Sequence, residues 1–104
     1  MSNKFIYFFI RRDLSSKQQI IQTAHATQMM AIRAYKETGY EGIPNAVLMG
    51  ALDEPDLLDI KRYLDDNDIK SEMFFEPDIS SYTAIATFPL EGDERIPLRS
   101  FKTL

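Results

Sequence analysis

His25 is the only histidine in the chain, and Gln18 and Gln22 precede it at spacings that place all three on one side of a helix. They fall near the N-terminal end of that helix, with Lys17, Arg11 and Arg12 close by in sequence. Unpaired backbone N–H groups and the positive end of the helix dipole, joined by basic side chains, make a natural seat for a phosphate or carboxylate. A lone helical histidine reads as a structural hydrogen bonder; its company is what points to a ligand. The absence of cysteine removes thiol nucleophiles, disulfides and thiolate metal sites. One histidine and scattered acids do not make a metal coordination shell, so neither metal nor cofactor is expected. Asp65-Asp66-Asn67-Asp68 lacks the glycine and distal glutamate of a calcium loop, and no glycines cluster into a phosphate loop. Ser15, Ser16, Ser80 and Ser81 have no spacing to His25 that supports a nucleophilic triad.

The elements that must position these residues follow from pattern. Lys4–Arg11 is apolar without alternation, as in a central strand covered on both faces. Asp13-Leu14-Ser15-Ser16 is a turn rich in cap residues, and a helix over 16–38 ends at Gly39. Ile20, Ala24, Thr27, Ala31, Ala34 and Tyr35 share one face of that helix, and the small residues among them predict close packing on a sheet. A strand over 46–51 follows, then a helix capped by Asp53 with Pro55 in its first turn and an apolar stripe of Leu57, Leu58, Ile60, Lys61 and Leu64. Strands are expected over 70–75 and 82–88, separated by the loop Glu76–Ser81; the tail from Leu90 has no clear pattern. The order βαβαββ makes a sheet with at least one helical layer, and its βαβ portions favour parallel neighbours.

The chain of 104 residues fits one domain, 1–104, and 44% apolar residues suffice for one core. The run Phe5–Ile10 is too short to span a bilayer and lacks the features of a leader, so a cytoplasmic protein without membrane contact is expected. The net charge of −4 argues against non-specific nucleic-acid binding. Its distribution is uneven, however. Residues 1–36 carry six Lys and Arg against Asp13, while acids crowd residues 53–78. Either an anionic ligand docks at the basic end, or both are solvated faces.

Arg12-Asp13-Leu14, followed by Gln22-Thr23-Ala24-His25-Ala26, resembles the opening of the type 2 peptidyl-tRNA hydrolases. In that family an apolar strand and an Arg-x-Asp-Leu turn precede a helix bearing Gln-x-x-His-Ala. The resemblance continues in unbroken order through Pro44–Gly50, Asp53-Glu54 with Leu57-Leu58, Ile69–Glu76 and Tyr82–Ala86, and so covers residues 4–90. It implies an α/β fold, a mixed four-stranded sheet flanked by helices, and metal-free hydrolysis of the ester joining a peptide to tRNA. Counting back from His25, the family's lysine position falls on Gln18, with Lys17 one residue away. The family's acid falls on Glu76, with Asp78 a second candidate, and Thr83 and His25 match directly. A shorter segment, Glu76–Ser81, replaces the family's Asp-Ala-Gly-Arg-Thr loop.

Ester hydrolysis needs an activated water and a cationic or N–H group near the developing oxyanion. The resemblance thus implies Glu76 or Asp78 as base or orienter, Lys17 as the electrostatic group and Thr83 holding water. His25 would orient a neighbour or touch the substrate. Arg11, Arg12, Gln18, Gln22 and Arg33 would face tRNA or peptidyl-tRNA. A homodimer is compatible with the apolar content. The competing expectation is an inactive relative of the fold that binds RNA, a small anion or a protein partner.

Overall fold

A computed structural model describes residues 3–101. Four strands, β1 (Phe5–Arg11), β2 (Asn45–Ala51), β3 (Ser71–Glu76) and β4 (Ser81–Thr87), form one mixed sheet in the order β2-β1-β4-β3. β1 is parallel to β2 and antiparallel to β4, and β4 is antiparallel to β3. The βαβ rule therefore holds for β1 and β2, whereas β2 and β3 lie at opposite edges. Helix α1 (Ser16–Thr38) covers one face of the sheet and α2 (Glu54–Asp66) the other.

β1 runs through the middle, and its unbroken apolar run serves both layers. Ile6, Phe8 and Ile10 meet the α1 side, while Tyr7 and Phe9 meet the α2 side. On the α2 side Leu57, Ile60 and Leu64 pack with Met49, Ile85 and Leu98. Leu58 of the expected stripe is exposed, and Lys61 turns its ammonium to Ser71, donating to the hydroxyl at 2.8 Å and the carbonyl oxygen at 3.1 Å. The tail forms 3₁₀ turns over Gly92–Ser100; Phe101 packs edge-on against Phe9, and Arg95 lies 3.4 Å over the Phe5 ring.

Both helix starts are capped as their residues predict. The Ser15 hydroxyl accepts from the Gln18 N–H, and the Asp53 carboxylate accepts from the Asp56 N–H. Gly39 stops α1 at φ 76°, a left-handed conformation that glycine adopts without steric cost.

The packing face of α1 differs from the expected one. Gln22, Ala26, Met30 and Ala34 are buried, and Ala24, Ala31, Ile20 and Tyr35 are exposed. The physical reason is Gln22. A glutamine in the middle of a stripe argues against burial unless each of its polar groups finds a partner, and here each does.

Candidate functional site

The C-terminal ends of β1, β2 and β3, the start of β4 and the N-termini of both helices gather at one edge of the sheet. Register places Glu76 opposite Ser81 there. One irregularity matters more than the rest. Phe74 pairs with Ala84 and Phe75 with Tyr82, so Thr83 is the extra residue of a β-bulge. A regular strand would send Thr83 and Ala84 to opposite faces. With the bulge, Ala84 packs in the α1 cluster and the Thr83 hydroxyl also reaches α1.

What it reaches is Gln22, fully buried like Thr83 itself. The Thr83 hydroxyl donates to Gln22 Oε1 at 2.9 Å. Gln22 Nε2 donates to Glu76 Oε1 at 2.9 Å and to Gln18 Oε1 at 3.0 Å. A carboxylate can only accept, so Glu76 fixes which end of the Gln22 amide faces it, and Thr83 must then be the donor to Oε1. The other Glu76 oxygen faces the Asp78 N–H at 3.5 Å. The result is a half-buried carboxylate aimed by a saturated, buried amide. Beside it, the His25 ring stacks on Phe74 with centroids 4.7 Å apart. Gln18 spends its carbonyl oxygen on Gln22, and its amide nitrogen donates to nothing among the described residues.

The structure thus brings together Gln18, Gln22, Glu76 and Thr83, with His25 alongside on the same helix. The other expected residues are placed differently. Asp78 is exposed on the 3₁₀ turn Pro77–Ile79 and contributes its backbone, not its carboxylate, to Glu76. Thr83 has no exposed surface on which to hold a water. Lys17 is exposed in the first turn of α1; at about 100° per residue it projects from a different side of the helix than Gln18 and Gln22.

Arg11 is committed to structure. Its guanidinium donates to both Asp13 carboxylate oxygens, at 2.9 and 2.7 Å, to the Ser81 hydroxyl and to the Tyr82 carbonyl oxygen. The Asp13 hydrogen bonds raise the Arg11 pKa above its ordinary value, and Asp13 is correspondingly lowered by Arg11. Arg33 lies toward the far end of α1, held between Glu37 and Glu72. Neither arginine offers a phosphate its usual fork. Arg12 is exposed just past β1, its backbone N–H donating to the Ala51 carbonyl oxygen at 2.7 Å. No group of three or more acids and histidines among the described residues could hold a metal ion.

Sequence reading missed Glu54, whose carboxylate accepts from the Tyr82 N–H at 2.6 Å and ties the start of β4 to α2. It also missed the bulge, which nothing in Tyr82-Thr83-Ala84 signals.

No family model matches the chain, and no curated protein matches it. A structural match covers 100% of this chain and 99% of a protein of unknown function, Atu0240 from Agrobacterium tumefaciens strain C58, with a TM-score of 0.68 and 17% sequence identity. At that identity the likeness establishes the fold and leaves the chemistry to the site itself.

Proposed function

We propose that this chain is a divergent relative of the type 2 peptidyl-tRNA hydrolases that cleaves the ester between a peptide and tRNA, acting in the cytoplasm, where tRNA is found. The observation that supports it is the hydrogen-bonded line Thr83–Gln22–Glu76. Burying a glutamine is costly unless every polar group is satisfied, and a greasy residue would fill that space with less demand. What the glutamine adds is a fixed direction for the Glu76 carboxylate. In this reading Glu76 takes the proton from an attacking water. The outward amide N–H of Gln18, at the family's lysine position, donates to the oxyanion that develops on the ester carbonyl. Gln22 and Thr83 are positioning residues. The partners are tRNA, presented by its 3′ ester, and a second copy of the chain.

A second reading has its own observation. Thr83 is sealed, Lys17 projects from another side of the helix and Arg11 is held by Asp13, which favours a binding scaffold without hydrolysis. Single-turnover hydrolysis of a defined peptidyl-tRNA, measured beside binding of deacylated tRNA, separates the two. Ester cleavage above the buffer rate is expected; binding without cleavage selects the scaffold.

A further inference from the structure

β3 is an edge strand, and its free edge runs directly to Glu76. Antiparallel pairing alternates, so every second residue turns its N–H and C=O toward β4 and the others turn theirs outward. The phase is set at both ends of the strand. The Phe88 N–H donates to the Lys70 carbonyl oxygen at 2.8 Å, which turns Lys70, Glu72 and Phe74 toward β4 and Ser71, Met73 and Phe75 outward. Beyond the bulge Tyr82 stands opposite Phe75. It donates its N–H to Glu54 and accepts from Arg11 on its carbonyl oxygen, so Phe75 keeps its outward phase.

The outward residues are not equivalent. The Ser71 carbonyl oxygen accepts from Lys61 at 3.1 Å and from Arg33 at 3.3 Å, which closes that end of the edge. Among the described residues no side chain bonds the backbone of Met73 or Phe75, and Phe75 is 44% exposed. After Glu76 comes Pro77, which has no N–H to offer. The open stretch therefore runs from Met73 to Phe75 and ends at the acid. We infer that it is the docking edge for the peptide part of the substrate, which adds to the sheet as a short strand parallel to β3. The identity of that occupant rests on the hydrolase reading; the pairing pattern does not.

Direction selects the parallel arrangement. The ester lies at the C-terminal end of the peptide, and Glu76 lies at the C-terminal end of β3. In a parallel pair, the peptide residue opposite Phe74 donates its N–H to the Met73 carbonyl oxygen and accepts from the Phe75 N–H. The residue two further on, opposite Glu76, donates to the Phe75 carbonyl oxygen. Its own carbonyl then meets Pro77 and finds no donor on β3. The esterified residue thus sits beside the acid with its carbonyl left open to Gln18 and to an attacking water. Main-chain pairing reads no side chain, as a substrate of varied peptide sequence requires. A second copy of β3 suits this edge less well. Two such strands, antiparallel about Phe74, would set Glu72 against Glu76 twice, and like charges directly opposite destabilise a pair.

Titration of the full chain, followed by amide chemical shifts, tests it with N-acetyl-trialanine joined through a non-cleavable amide to 3′-amino-3′-deoxyadenosine. The Met73 and Phe75 amides are expected to shift on binding. N-methylation of the alanine next to the nucleoside, or of the third alanine back from it, should each weaken binding at least about tenfold, or ~1.4 kcal/mol. Methylation of the middle alanine, whose N–H faces away from β3, should change binding less than about threefold. The same series made as cleavable esters should show that alternation in kcat/KM. Equal losses at all three positions, or none at any, would overturn the proposal. So would no binding at about 1 mM probe, or Met73 and Phe75 shifts that follow protein concentration without it, the mark of two copies pairing edge to edge. Alternation in binding with no ester cleavage above the buffer rate would uphold the docking edge and fell only the hydrolase reading.

Discussion

The two ends of α1 use polar side chains in opposite ways. Toward its C-terminus Arg33 bridges Glu37 and Glu72, and Lys70 closes on Glu37, so charge is cancelled in a set of exposed or half-exposed pairs. Toward its N-terminus the central group is a neutral amide, fully buried, whose bonds end on a single half-buried carboxylate. The first arrangement holds β3 to the helix and asks little of geometry. The second places a polar hub in the core and leaves one acid and one amide at the surface, each with capacity to spare. Exposed ion pairs contribute little to stability and carry little directional information; a satisfied buried hub fixes direction.

This contrast predicts effects of decreasing size. Glu76→Gln should lower single-turnover hydrolysis by about 10²–10³, while Asp78→Asn stays near wild type, because Asp78 does not enter the hydrogen-bonded line. Equal losses from both would erase the distinction between the two acids. Gln22→Leu should destabilise the fold by about 1–3 kcal/mol, since Thr83 and Glu76 each lose a partner while the volume is kept. Urea unfolding reads this directly, and a neutral result would mean the hub has no structural cost to explain. Ala26→Leu should cost about 1–3 kcal/mol by overpacking, whereas Ala31→Leu should stay within about 0.5 kcal/mol in the monomer. The reverse order would restore the face first expected.

The smallest effects belong to the C-terminal pairs. Arg33→Ala should leave both hydrolysis and the salt dependence of tRNA binding unchanged, against a slope change of about one unit for a true phosphate contact. Glu37 is held below the usual carboxylate range first by Lys70 and then by Arg33. A carboxylate lowered in the folded state stabilises the fold above its unfolded pKa of about 4, and that contribution is lost as pH falls through the lowered value. Glu37→Gln should therefore lower stability slightly across the neutral range, flatten the acid limb, and leave stability below both pKa values unchanged, as read by urea unfolding against pH.

Much of the fold was legible because local signals agreed. The apolar run of β1, the caps at Ser15 and Asp53 and the stop at Gly39 all lie where residue chemistry puts them. The face of α1 was not legible, for two reasons that share one cause. The true face contains Gln22, whose burial depends on Thr83, 61 residues away, and the competing stripe is genuinely apolar. The site was legible in part. Glu76, Gln18, Gln22 and Thr83 were each named on a helix side or by position in a resemblance. Thr83's role was not, because a bulge aims it inward. Lys17 was misplaced because a shift of one residue moves a side chain about 100° round a helix. Arg11 and Arg33 looked like phosphate ligands until Asp13, Glu37 and Glu72 were found on them.

The claim at the centre is that Gln22 acts on the ester through Glu76. A kinetic double-mutant cycle on single-turnover peptidyl-tRNA hydrolysis, with Gln22→Leu, Glu76→Gln and the pair together, tests that most directly. The account predicts that the double variant is no slower than Glu76→Gln alone, because an amide that only aims a carboxylate has nothing left to aim. Losses that multiply, or a wild type indistinguishable from buffer, would contradict it.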